Sequence, residues 1–159
     1  MKVLSLPCCA LAATLAAPSF AQSDKQYFPA PGNPAAVSPT NPDGTPPFST
    51  AVLAGDTLYI SGAIDIDPAT GKPPTDPKVG AKLLMDGLKR TVERAGMTMD
   101  DLVWVQIFAT DLKNYAAFNE IYRAYFKGPM PARAFLGAGS LLNGSNFEIM
   151  ATAVKSKAK

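Results

Sequence analysis

Pro131–Val154, PARAFLGAGSLLNGSNFEIMATAV, reads as two β-prone runs on either side of Asn143-Gly144. Ala132 to Leu142 makes the first run and Asn146 to Val154 the second. An Asn-Gly pair between such runs is a strong hairpin signal, because both residues tolerate the left-handed backbone of a tight turn. The stretch predicts a strand, a turn and a returning strand, with Arg133 on one arm and Glu148 on the other. That makes their proximity plausible. Pattern alone does not fix the register, and so does not say whether the two share a face.

Working outward, Gly128-Pro129 closes a helix predicted from about Asn114 to Lys127, with Ala117, Phe118, Ile121, Ala124 and Tyr125 on its apolar stripe. Leu102 to Ala109 (LVWVQIFA) is rich in β-branched and aromatic residues and reads as a strand. Before it comes a longer helix. Asp76 caps it, Pro77 suits its first turn, and Ala81, Leu84, Met85, Leu88, Val92 and Ala95 form one stripe that Gly96 ends. Its opposite face, Lys82, Asp86, Lys89, Arg90 and Glu93, is a solvated face. Ser49–Ala54 and Thr57–Ile60 pair around Gly55-Asp56, and Ser61-Gly62 breaks the pattern. The order ββαβαββ predicts an α+β fold with two helices on one face of a mixed sheet. The other sheet face then needs cover, and a homo-oligomer supplies it.

The two ends differ from this body. Residues 1–21 carry Lys2, then an apolar run, then Ser19-Phe20-Ala21, the order of a secretory signal peptide. The apolar run is shorter than the ~20 residues that span a bilayer. Cleavage after Ala21 is expected, giving a periplasmic or secreted protein with no membrane attachment. Residues 22–47 are rich in Pro, Gly, Asn and Ser and read as an extended arm. The domain proper spans 48–155, and 156–159 is a basic tail.

Removing 21 residues from 159 leaves 138, enough for one domain. Both cysteines, Cys8 and Cys9, leave with the leader, and the chain has no histidine. Disulfides, thiol nucleophiles and His-based triads are thereby excluded. A carboxylate-only Mg2+ or Ca2+ site stays open, although no acidic loop has the spacing for one. Without Lys2, 14 basic residues face 13 acidic ones and no basic run exists, so nucleic acid is not an expected partner.

Arg133 stands out against this background. Pro129 and Pro131 fix the backbone before it, and Ala132, Ala134, Phe135 and Leu136 around it are apolar. Read alone, it is a strand-edge arginine with its stem over apolar neighbours. In such company a guanidinium also suits a carboxylate, from the protein or from a ligand.

The chain resembles the Rid family, the reactive intermediate deaminases also called YjgF-type proteins. The resemblance rests on YISGAIDIDPATG at 59–71, VERAGMTMDDLV at 92–103, FATDLKNYAAFNEIYRAYF at 108–126, PARAF at 131–135 and FEIMATAV at 147–154. It covers about residues 45–155. It implies a chorismate-mutase-like homotrimer with sites in the clefts between subunits. It also implies cofactor-free hydrolysis of 2-imino acids, such as 2-iminopropanoate, to 2-keto acids and ammonia. Arg133 matches the family's substrate-binding arginine, and Glu148 the glutamate that positions the attacking water. Ser61, Gly62 and Asn119 match pocket residues. Read alone, Glu148 is an exposed strand carboxylate, Ser61 a turn residue and Asn119 a helix-surface amide.

Six positions depart from the family pattern. Phe48 stands where active members carry tyrosine, and its ring is expected to stack on a planar substrate without supplying a hydroxyl. Ala134 and Phe135 replace small or polar residues after the arginine, and Phe135 is expected to reshape the pocket. Ala63, Leu142 and Met150 replace a glutamine, a proline and a second glutamate. The expected ligand is an imino acid or other small carboxylate. The alternative to hydrolysis is a non-catalytic binder of small 2-keto acids in the same cleft. Ribonuclease activity, attached to some family members, does not suit a chain without histidine or a basic run.

Overall fold

The computed structural model describes residues 24–29 and 47–156. The leader, most of the arm and the last three residues of the tail lie outside the described residues. Six strands form one sheet: β1 (Lys25–Phe28), β2 (Ala51–Ala54), β3 (Thr57–Ile64), β4 (Leu102–Ala109), β5 (Ala132–Gly137) and β6 (Phe147–Val154). Two helices, α1 (Pro77–Arg94) and α2 (Tyr115–Arg123), cover one face. The sheet order is β1-β2-β3-β6-β4-β5. Only β4 and β5 pair in parallel; the other neighbours are antiparallel. This is the expected α+β class, extended at one edge by β1 from within the Pro-rich arm.

The predicted terminal hairpin does not form. β5 pairs with β4, and β6 inserts between β3 and β4. Asn143 and Gly144 do adopt left-handed φ values of 55° and 70°, as an Asn-Gly turn requires. The chain after them is captured by a different partner. Asp65, fully buried at the end of β3, accepts the backbone N–H groups of Asn146 (2.8 Å) and Phe147 (3.1 Å). The Asn146 amide also donates to Asp65 (3.2 Å) and to the Pro74 carbonyl (2.8 Å). These bonds start β6 beside β3 and away from β5.

Ser61-Gly62 does not end a strand either. β3 continues to Ile64 through a register shift between Ile60 and Ala63, a bulge that glycine accommodates. α1 begins and ends where its sequence predicts. Asp76 accepts from Lys78 N at 2.8 Å. At the other end Gly96 N bonds Glu93 O and Met97 N bonds Val92 O, with Gly96 at φ 72°, a Schellman closure. α2 stops four residues earlier than predicted. Ala124, Tyr125 and Phe126 bond three residues back, a tighter winding, while the Tyr125 hydroxyl donates to Asp86 at 2.6 Å.

Leu84, Met85, Val92 and Phe118 from the helices are fully buried against Leu58, Val105, Ile107, Phe147 and Ile149 of the sheet. The Phe118 and Phe147 rings meet edge to face at 5.0 Å. Nothing among the described residues covers the other sheet face: Tyr59 is 56% and Trp104 41% exposed. Two glycines sit inside α1, each costing ~1 kcal/mol of helix propensity against alanine. Gly80 is required, because a Cβ there would lie 2.5 Å from the Asp65 carboxylate. No contact of this kind explains Gly87.

Candidate functional site: two half-sites on opposite faces of one sheet

Strand alternation divides the expected site residues. Arg133 pairs with Val105, which is fully buried beneath the helices, so Arg133 points to the helix face. Glu148 pairs with Phe108 and Ile64 and points to the open face. Within one chain the sheet lies between them. Their expected proximity on a hairpin is therefore corrected: they lie on non-adjacent strands and on opposite faces.

On the helix face, α2 carries Tyr115, Asn119 and Tyr122 at i, i+4 and i+7, one stripe of the helix. The Arg133 guanidinium carbon sits 4.5 Å from the Tyr122 ring centroid, 5.7 Å from that of Tyr115 and 5.9 Å from that of Phe135. Its Nη2 donates to the Tyr115 hydroxyl at 3.4 Å. Phe135 meets Tyr115 and Phe118 edge to face at 5.1 and 5.5 Å, so its ring props this aromatic group against the core. Among the described residues Arg133 has no carboxylate partner. Tyr115, Asn119, Tyr122, Pro131 and Arg133 line a cleft of about 160 Å3.

Two tyrosines in this half-site have shifted pKa values. The neighbouring Asn119 amide, and then the Arg133 charge, hold the Tyr115 phenol below its usual value. Burial pushes Tyr122 up to about 12, against the Arg133 charge, and its hydroxyl has no hydrogen-bond partner among the described residues. Tyr122 thus offers Arg133 a ring face, whereas Tyr115 offers an exposed polar hydroxyl.

On the open face, Phe48, Ser61, Gly62, Ile64, Leu142 and Glu148 line a cleft of about 230 Å3. The Glu148 carboxylate rests directly over Gly62, where any Cβ would collide with it. A side chain at Gly62 would push the Glu148 carboxylate out of this position. The Ser61 hydroxyl donates to the Ser49 carbonyl at 2.6 Å, which leaves its lone pairs to face the cleft. The Phe48 ring, half exposed, stands at the mouth.

One half-site thus holds a cation, an amide and a phenol; the other holds a carboxylate, a hydroxyl and a phenyl ring. The first can grip a carboxylate. The second can hold and polarise a water molecule. Among the described residues no group of three or more His, Cys, Asp or Glu is placed to hold a metal ion, and no helix is long and apolar enough to cross a membrane. Sequence reading missed Tyr115, Tyr122 and Asp65. The i, i+4, i+7 spacing to Asn119 was the available signal for the two tyrosines. Nothing in the local sequence signals that Asp65 is buried.

A family model described as endoribonuclease L-PSP matches residues 39–155. A mouse protein named 2-iminobutanoate/2-iminopropanoate deaminase is 36% identical over 110 residues, which are 69% of this chain and 82% of the mouse protein. The crystal structure of Escherichia coli TdcF with bound serine has a TM-score of 0.65 at 32% identity, covering 69% of this chain and 89% of that one. The YjgF gene product of Escherichia coli has a TM-score of 0.66 at 31% identity, covering 75% and 96%.

Proposed function

We propose a hydrolytic role that proceeds from one premise: the chain belongs to the Rid family, the family of the matched endoribonuclease L-PSP model. The role is deamination of 2-imino acids to 2-keto acids and ammonia. The observation that carries it is Arg133: a guanidinium fixed on three aromatic rings, facing a cleft and free of any carboxylate partner among the described residues. A planar guanidinium so held suits the carboxylate of a small substrate through two parallel hydrogen bonds. The serine in TdcF is a small carboxylate of this kind.

In the proposed reaction Arg133 holds the substrate carboxylate. Glu148 takes a proton from water, and the oxygen attacks the imine carbon. That proton passes from Glu148 to the imine nitrogen, giving a carbinolamine. Its hydroxyl then gives its own proton to Glu148, the C=O bond forms as the C–N bond breaks, and this second proton passes to the nitrogen, which leaves as ammonia. An imine carbon is already electrophilic, so one positioned carboxylate and good orientation suffice. Because Arg133 and Glu148 lie on opposite faces, the complete site takes Arg133 from one subunit and Glu148 from the next. The open sheet face with Tyr59 and Trp104 is the surface that homotrimer packing would cover. Export follows in the same proposal from the leader at residues 1–21.

The test uses mature protein from Gln22 with an amino-acid oxidase as imine source and semicarbazide as trap. The expected result is a fall in semicarbazone that Glu148→Gln abolishes. An unchanged semicarbazone yield would leave the second reading, a 2-keto acid binder, which the missing hydroxyl at Phe48 favours. Mixing tests the assembly. Arg133→Ala and Glu148→Gln chains, each inactive, are expected to regain about a quarter of wild-type activity when unfolded together and reassembled at equal amounts, because random pairing completes one site in four. No recovery would place both residues in one chain's site.

Tyr115 adds a hydroxyl that Phe48 lacks. Tyr115→Phe is expected to weaken pyruvate binding about fivefold, the worth of one hydrogen bond, by isothermal titration. Unchanged affinity would restrict Tyr115 to supporting Arg133.

A further inference from the structure

Gly87 lies in the middle of α1, where glycine is a poor helix former. A Cβ there would meet only the Arg90 guanidinium at 3.7 Å, an ordinary contact. Nothing among the described residues forces glycine at this position, in contrast with Gly80. What lies beside Gly87 is a cavity of about 160 Å3, walled by Thr50, Ile60, Leu88, Thr91 and Ile149 as well. It opens to the surface beside Phe48 and Ala63 and has the volume of about five waters at liquid density.

The cavity adjoins the Glu148 cleft. The cavity lies on the helix face, under α1, and meets the Glu148 cleft of the open face at the β3 bulge, where Phe48, Ser61 and Gly62 border both; the recess has a carboxylate end and a glycine end. The glycine end is apolar in practice as well as in composition. The Thr91 hydroxyl donates to the Gly87 carbonyl at 3.1 Å, and the Ser61 hydroxyl to Ser49. With these donors committed, water entering there finds few partners, and an apolar group is the better occupant. Phe48 stands at the shared border, where its ring faces any group passing from one end to the other.

We propose that this recess is a side-chain pocket, and that it selects 2-imino and 2-keto acids with an aliphatic side chain of three or four carbons over those with a methyl group. Gly87 is the specificity-determining residue, since a side chain there would occupy the pocket. The inference rests on the reading of Arg133 and Glu148 as a carboxylate and imine site, and it names the substrate class of that site.

The experiment is isothermal titration of the full mature protein with pyruvate, 4-methyl-2-oxopentanoate and 2-oxoglutarate. Each buried methylene is worth about fourfold in affinity. The expected result is that 4-methyl-2-oxopentanoate binds at least about tenfold more tightly than pyruvate. Gly87→Met should bring the two within about twofold of each other. Gly87→Ala is a folding control, expected to raise Tm because its methyl meets no clash. Equal affinities in the wild type, a preference that survives Gly87→Met, a preference for 2-oxoglutarate, or no binding of any of the three would each overturn the pocket. Hydrolysis is scored separately with the oxidase assay. Binding preference without turnover would keep the pocket and remove the hydrolase; turnover of all imines without preference would do the reverse.

Discussion

Arg133→Ala is expected to weaken pyruvate binding roughly 100-fold and to abolish imine hydrolysis, while the chain still folds. The affinity loss corresponds to about 3 kcal/mol, the scale of a paired, charge-assisted contact to a carboxylate. The stability loss is expected to be smaller, about 1 kcal/mol, because the guanidinium gives up ring contacts with Tyr122, Tyr115 and Phe135 at a partly exposed position. Lysine at this position keeps the charge and loses the planar fork, so Arg133→Lys should recover only a minor part of the binding. Titration with pyruvate and urea unfolding of the same preparations separate the two effects. Full pyruvate affinity in Arg133→Ala would remove the carboxylate clamp and the hydrolytic role with it.

The second large effect is on folding. Asp65→Ala is expected to cost about 3–5 kcal/mol, measured by urea unfolding. The change strands two backbone N–H groups, those of Asn146 and Phe147, and leaves the Asn146 amide only its bond to the Pro74 carbonyl, in a region where Asp65 itself is fully buried. Against a total stability of about 5–15 kcal/mol for a typical domain, that loss is severe. It should also reach the site. β6 begins at Phe147, and Glu148 follows it directly, so a loosened start of β6 frees the carboxylate from its place over Gly62. Asp65→Asn retains an acceptor of the same shape and should cost markedly less. A loss below about 1 kcal/mol for Asp65→Ala would show that water replaces the carboxylate without penalty.

These two residues also mark what sequence could and could not reveal. α1 was readable to within a residue because its signals are local: Asp76, Pro77, the apolar stripe and Gly96 all act within one turn of where they stand. The strand Leu102–Ala109 was equally local, and Arg133 was conspicuous because two prolines and an apolar run surround it. The terminal hairpin failed because Asn143-Gly144 specifies a backbone turn and not the partner of the strand that follows. That partner is chosen by Asp65, about eighty residues away, whose burial has no local signature. The opposite-face placement of Arg133 and Glu148 was hidden for the same reason. Side-chain direction in a strand depends on register, and register here is set by β4, which lies between β5 and β6. Asn119 was found by resemblance, whereas Tyr115 and Tyr122, one helical turn on either side, carried the same spacing and went unread.

The placement of the two half-sites across a sheet has a kinetic consequence. A lone folded chain owns a grip without a base on one side and a base without a grip on the other. On the proposed reading, dilution below the dissociation constant of the assembly would extinguish turnover outright and leave no slow residual monomer rate. A single chain of this design is, on that reading, chemically silent, and activity is a collective property of chains that have met.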